Sequence, residues 1–136
     1  MGVRVRVRLC VKGHCLILRA LVNSGYESAE PELAIPQSIA EELGIWPSQR
    51  FTLEEAYTAG GLAPVYVIDE DARVNLVLSD NNYVEDVKVK LIVNPSLDEA
   101  LISDQLIDAL GIIVISFGKG LWRYKEESEG VIRKSA

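Results

Sequence analysis

The chain has 136 residues, a size suited to one domain, and 49% of them are hydrophobic, enough for a real core beside 25% charged residues. A net charge of −6 argues against general nucleic-acid binding, which needs a basic face. The longest apolar runs, such as Ile112 to Ile115, are too short to span a bilayer, and the N-terminus alternates Arg with Val where a leader would be apolar. The expectation is a cytoplasmic protein with neither membrane nor nucleic acid as a partner.

Val3, Val5, Val7 and Leu9 alternate with Arg4, Arg6 and Arg8, which predicts a strand with one buried face and a solvated row of arginines. If Lys12-Gly13 is a two-residue turn, Cys10 faces Cys15 across a hairpin with Cα atoms about 4.5 Å apart, at the short end of disulfide geometry. In an ordinary cytosol the two cysteines are expected as free thiols; a disulfide stays open, and His14 adds too few ligands for a structural zinc site. Leu16 to Val22 is nearly all apolar and predicts a second strand, buried on both faces. It ends in Asn23-Ser24-Gly25, three residue types common in turns.

A polar stretch, 26–33, follows. Pro36 sits where a helix can begin, Ile39, Ala40 and Leu43 share one face, and Gly44 is a natural stop. Phe51 to Ala59 and Leu62 to Ile68 predict two strands about Gly60-Gly61, and Pro64 points to an edge strand or a projecting hairpin. Asp69-Glu70-Asp71 lacks the spacing of a calcium loop and reads as a solvated turn. Val74, Leu76 and Leu78 alternate, 79–82 is a turn, and the next strand runs through Val84, Val87, Val89, Leu91 and Val93 with a bulge between Val84 and Val87. After the loop at Asn94-Pro95-Ser96, Ala100-Leu101-Ile102 predicts a short strand, and Ser103 can cap a helix from Asp104 to Leu110 that Gly111 stops. Ile112 to Ile115 and Leu121 to Tyr124 form a last strand pair. The domain is expected over 1–124, with a frayed charged tail over 125–136.

The order of elements repeats. A strand, a small polar turn and a short helix ending Leu-Gly-Ile run from Ala20 to Ile45 and again from Ala100 to Ile112. The fold class is therefore mainly β, a pseudo-twofold domain of mostly antiparallel strands with two short helices.

Ala20-Leu21-Val22-Asn23-Ser24-Gly25 resembles the A-L-V-D-[ST]-G run of the retropepsin-like aspartic peptidases. Gly60-Gly61 stands where that family has the glycine-rich tip of a flap, and Leu101-Ile102-Ser103-Asp104-Gln105-Leu106 is similar to its L-I-G-x-[DN]-x-L segment. The resemblance covers about Val3 to Tyr124 and implies a closed acid-protease-type β-barrel half that works as a homodimer on a peptide or protein substrate, without metal or cofactor. It assigns the catalytic positions to Asn23, Ser24 and Gly25, and substrate binding to Tyr26, Glu27, Gly60 and Gly61. Three positions depart from the pattern: Asn23 replaces the catalytic Asp, Tyr26 a small cleft residue, and Ser103 a Gly.

In that family two carboxylates about 3 Å apart share one proton, and the ionised one takes a proton from water. An amide does not titrate and cannot be that base, although it can hold water or a peptide carbonyl. The implied activity is acid-favouring endopeptidase cleavage, silenced by Asn23 whether engineered or natural; the alternative is a non-catalytic peptide-binding or scaffold homodimer using the same groove. An unrelated β-rich domain is a third reading, which a stable monomer would favour. Glu27 aligns with a family acid that binds the substrate backbone and reads equally as a solvated loop acid; Glu30 reads as solvated, and Asp104 as capping its own helix. An Asn-Ser bond also deamidates slowly to Asp.

Overall fold

The computed structural model describes residues 2–48, 50–58 and 61–136. Strand β1 (Arg4–Val11) turns into β2 (His14–Val22) through Lys12 and Gly13, both with positive φ (52° and 78°), the backbone of a tight hairpin turn whose twist matches its strands. That register sets Cys10 opposite Cys15 with Cα atoms 4.1 Å apart, and the two form a disulfide, so the expectation of free thiols is corrected. Val3, Val5, Val7 and Leu9 are fully buried. Of the arginine row, Arg4 pairs with Glu99 at 2.7 Å, Arg6 approaches Asp80, and Arg8 lies over the Tyr83 ring.

Strand β2 is not buried on both faces. Leu18, Ala20 and Val22 point into the core, whereas Ile17 is 41% exposed. A closed barrel has one inside, so alternation persists even in an apolar strand. Strand β3 (Glu32–Ile35) lies within what reads in sequence as a polar stretch running into a helix start. Four residues are too few to show a period, and the strand forms because β7 and β8 flank it: it pairs in parallel with β7 and antiparallel with β8.

Helix α1 (Gln37–Glu42) ends at Leu43 with Gly44 at φ 74°. Strands β4 (Phe51–Thr58) and β5 (Gly61–Ile68) pair along their whole length, but only Tyr66 and Val67 of β5 reach β7. The hairpin therefore projects, and Pro64, opposite Glu55, lies beyond the stretch that would need its missing N–H. Strands β6 (Ala72–Ser79) and β7 (Asn82–Val93) carry the expected bulge: Val74 faces Val87 but Leu76 faces Val84, and Glu85 between them takes φ 55°.

Strand β8 (Ala100–Ile102) and helix α2 (Asp104–Ala109) follow, with Gly111 at φ 72°. Around the barrel the order is β3-β8-β2-β1-β6-β7, and the β3–β7 pairing closes six strands into a ring. The two copies of the repeat meet inside it. Ala20, Leu21 and Val22 pair in parallel with Ala100, Leu101 and Ile102, equivalent residue to equivalent residue.

Strands β9 (Ile112–Ser116), β10 (Leu121–Tyr124) and β11 (Arg133–Lys134) form a second, three-stranded sheet. The tail is thus docked, not frayed. Arg133 grips Glu127 with two hydrogen bonds of 2.8 and 2.7 Å and donates to Leu78 O, while Ala136 N donates to Arg4 O. Three of its charges, Lys125, Glu127 and Arg133, are engaged in ion pairs, which composition alone cannot show.

Candidate functional site

The site begins where β2 stops. Val22 is still held by a bond to Val3 O (2.9 Å), and the chain then turns at Asn23. Asn23 Oδ1 accepts from Gly25 N at 3.1 Å and its carbonyl accepts from Tyr26 N at 3.0 Å. A Cβ on Gly25 would stand 3.3 Å from Asn23 Oδ1, so glycine lets the amide fold back over the turn. Among the described residues the Asn23 NH2 group has no partner, and Ser24 and Gly25 are exposed.

The rest of the loop is tied to the second copy. Tyr26 O accepts from Asp104 N (2.8 Å), and Asp104 Oδ1 accepts from Ser28 N (3.0 Å) and Gln105 N (2.7 Å). Ser103, fully buried, caps α2 by accepting from Leu106 N and also accepts from Glu32 N at 3.0 Å. Each of these bonds satisfies a backbone donor that the loop, β3 or the helix start would otherwise leave unpaired.

These elements enclose a cleft of about 530 Å³ beneath the β4–β5 hairpin. Its floor is apolar: Ala34, Val65 and Ile92 form a small core of their own, with Ala56 and Leu101 packed on it. Asn23, Gly25, Tyr26 and Glu27 line one side, and Glu54 and Glu55 the hairpin side. Asn94, only 8% exposed, also lines it and accepts from Ser96 N through Oδ1. A polar chain runs from loop to hairpin: Tyr26 OH donates to Glu32 Oε2 at 2.8 Å, and Lys90 Nζ lies 3.5 Å from both Glu32 and Glu54. Burial first, and then the Glu32 carboxylate, push the Tyr26 phenol well above its ordinary range.

Of the residues singled out in sequence, Asn23, Gly25, Tyr26 and Glu27 come together in this cleft. Ser24 sits at the exposed turn beside it. Gly61 opens β5 opposite Thr58, outside the cleft lining, and Gly60 lies outside the described residues. Tyr26 lines the cleft without filling it. Glu30 is exposed, and the acidic loop is engaged in ion pairs, Asp69 with Arg50 and Glu70 with Lys12. Asp104 lies in the first turn of α2 and clamps the first loop, while Ser103 is the cap. Sequence reasoning missed Glu32, Lys90 and Asn94. Glu32 hides in the unrecognised β3; Asn94 follows the apolar run Leu91–Val93, the one signal that it enters a buried corner.

Among the described residues no three His, Cys, Asp or Glu side chains converge as a metal site. The arrangement can hold a polymer with main-chain carbonyls through the free Asn23 amide, over an apolar floor. It offers no titrating group at residue 23. No protein-family model matches the chain, and no curated protein matches it.

Proposed function

We propose that the chain is a retropepsin-like domain that binds an extended peptide or protein segment as a homodimer, with hydrolysis silenced because Asn23 occupies the catalytic position. The observation that carries the reading is the position of Asn23. It follows the last residue of a barrel strand at the wall of an apolar-floored cleft, under a projecting hairpin, with its amide NH2 without a partner among the described residues. An amide there can donate to a substrate carbonyl or hold a water but cannot take a proton from one. The hairpin supports the same reading: Tyr57 is 88% and Leu62 57% exposed at its far end, apolar surface suited to closing on a ligand or a second subunit. Binding without cutting, the second form of this reading, is favoured directly by the intact amide.

The test is fluorescence anisotropy with a library of labelled extended peptides, run beside analytical ultracentrifugation. The reading expects saturable binding, no cleavage products and a dimer. A monomer that binds no peptide would overturn it.

A further inference from the structure

We propose that Asn23 is a self-modification site, at which the side-chain amide is converted to a carboxylate by the neighbouring backbone. The modification rests on the geometry of the turn; its consequence, a titrating group at the cleft wall, rests on the function proposed above. Three groups must be available for this chemistry, and the turn supplies all three.

The electrophile is Asn23 Cγ. Its oxygen already accepts a hydrogen bond from Gly25 N at 3.1 Å, a donor placed to stabilise the oxyanion that forms when Cγ is attacked. The nucleophile is the Ser24 backbone nitrogen, which makes no hydrogen bond among the described residues and belongs to an exposed residue with a small side chain. The leaving group is the Asn23 NH2, which also has no partner among the described residues.

The step balances without an oxidant or reductant. Hydroxide removes the Ser24 amide proton, the nitrogen bonds to Asn23 Cγ, the Cγ–Nδ2 bond breaks, and ammonia leaves with a proton from solvent. The product is a five-membered cyclic imide. Water then opens it: breaking the bond between Cγ and the ring nitrogen gives Asp, and breaking the bond between the backbone carbonyl and that nitrogen gives the isoaspartyl form.

The chain's other four asparagines lack one or more of these conditions. Asn94 precedes Pro95, whose nitrogen carries no proton, and is nearly buried. Asn75 lies within β6, its NH2 held by Glu85 O at 2.6 Å and its successor the fully buried Leu76. Asn81 is followed by the bulkier Asn82, which is paired across its hairpin with Ser79, and Asn82 by Tyr83.

The experiment ages the purified full chain in mildly alkaline buffer and follows it by intact mass and peptide mapping. Conversion at residue 23 is expected about tenfold faster than at Asn81, an exposed competitor, a rate ratio that one added hydrogen bond to the forming oxyanion supports. Asp and isoaspartyl products should appear together, the rate should rise with pH, and Ser24→Val should slow it several-fold while leaving the circular-dichroism spectrum unchanged. Equal rates at residues 23 and 81, or no effect of Ser24→Val, overturn the proposal. Aged wild type that cuts peptides, with aged Asn23→Gln inert, supports the consequence. Conversion without any cleavage, even by Asn23→Asp, leaves the modification standing and removes the peptidase chemistry.

Discussion

The turn after β2 and the turn after β8 leave strands that pair residue for residue, Ala20–Val22 against Ala100–Ile102, yet they serve opposite ends. At the second turn Ser103 is 0% exposed and its hydroxyl serves two backbone donors, Glu32 N and Leu106 N. At the first, among the described residues, Asn23 bonds only within its own turn and its NH2 at the cleft has no partner. One copy of the motif is a closed structural corner, and the other an open one at the cleft, where we propose that the ligand is held. The closed corner holds the open one in place: Asp104 bonds Ser28 N, and Ser103 fixes the first residue of β3.

That contrast can be broken from the structural side first. Leu106 is fully buried under the second turn, so Leu106→Ala should lower stability by about 3 kcal/mol in urea denaturation. Ser103→Ala leaves two backbone donors without their acceptor in a buried place and should cost about 2 kcal/mol. It should also weaken peptide binding, because the loop that positions Asn23 loses one of its anchors, at Glu32 N; a Ser103→Ala protein that is destabilised but binds normally would show that the two turns are uncoupled.

A smaller effect comes from pH. The Tyr26 phenol is raised by burial and by Glu32, and Tyr124 is pushed up to about 12 by burial and by its hydrogen bond to Glu85. Both groups bind their proton more tightly when folded than unfolded. Their contribution is therefore fully present below the ordinary phenol pKa of about 10 and is lost as pH rises from there through the folded values. Thermal melts across that range should show a falling Tm, and Tyr124→Phe should flatten the lower part of the fall.

The sequence was legible where local rules and tertiary context agreed. Alternation at Val3 to Leu9, the bulge before Val87 and the Ser103 cap each have a short-range cause and stand in the structure as read. Strand β3 was not legible, because Glu32–Ile35 is a strand only by virtue of β7 and β8, whose pairing is non-local. The docked tail escaped for the same reason: Arg133 and Glu127 look solvated until β10 is placed beside them. At the site, Asn23 to Glu27 stood out as a strand-ending turn. Its partners come from two distant stretches, Glu32 from β3 and Lys90 and Asn94 from the end of β7 and just past it, which only the closed barrel brings to the turn.

The most direct test of the account compares the wild-type chain with Asn23→Asp on a mixed peptide library between about pH 3 and 7, the range in which a shared-proton carboxylate pair works. The account predicts that fresh wild-type protein binds but does not cut, that the Asn23→Asp variant cuts with an acid optimum, and that pepstatin-type inhibitors stop it. If neither protein cuts while both are folded dimers, residue 23 is not the silenced position of an aspartic-peptidase site.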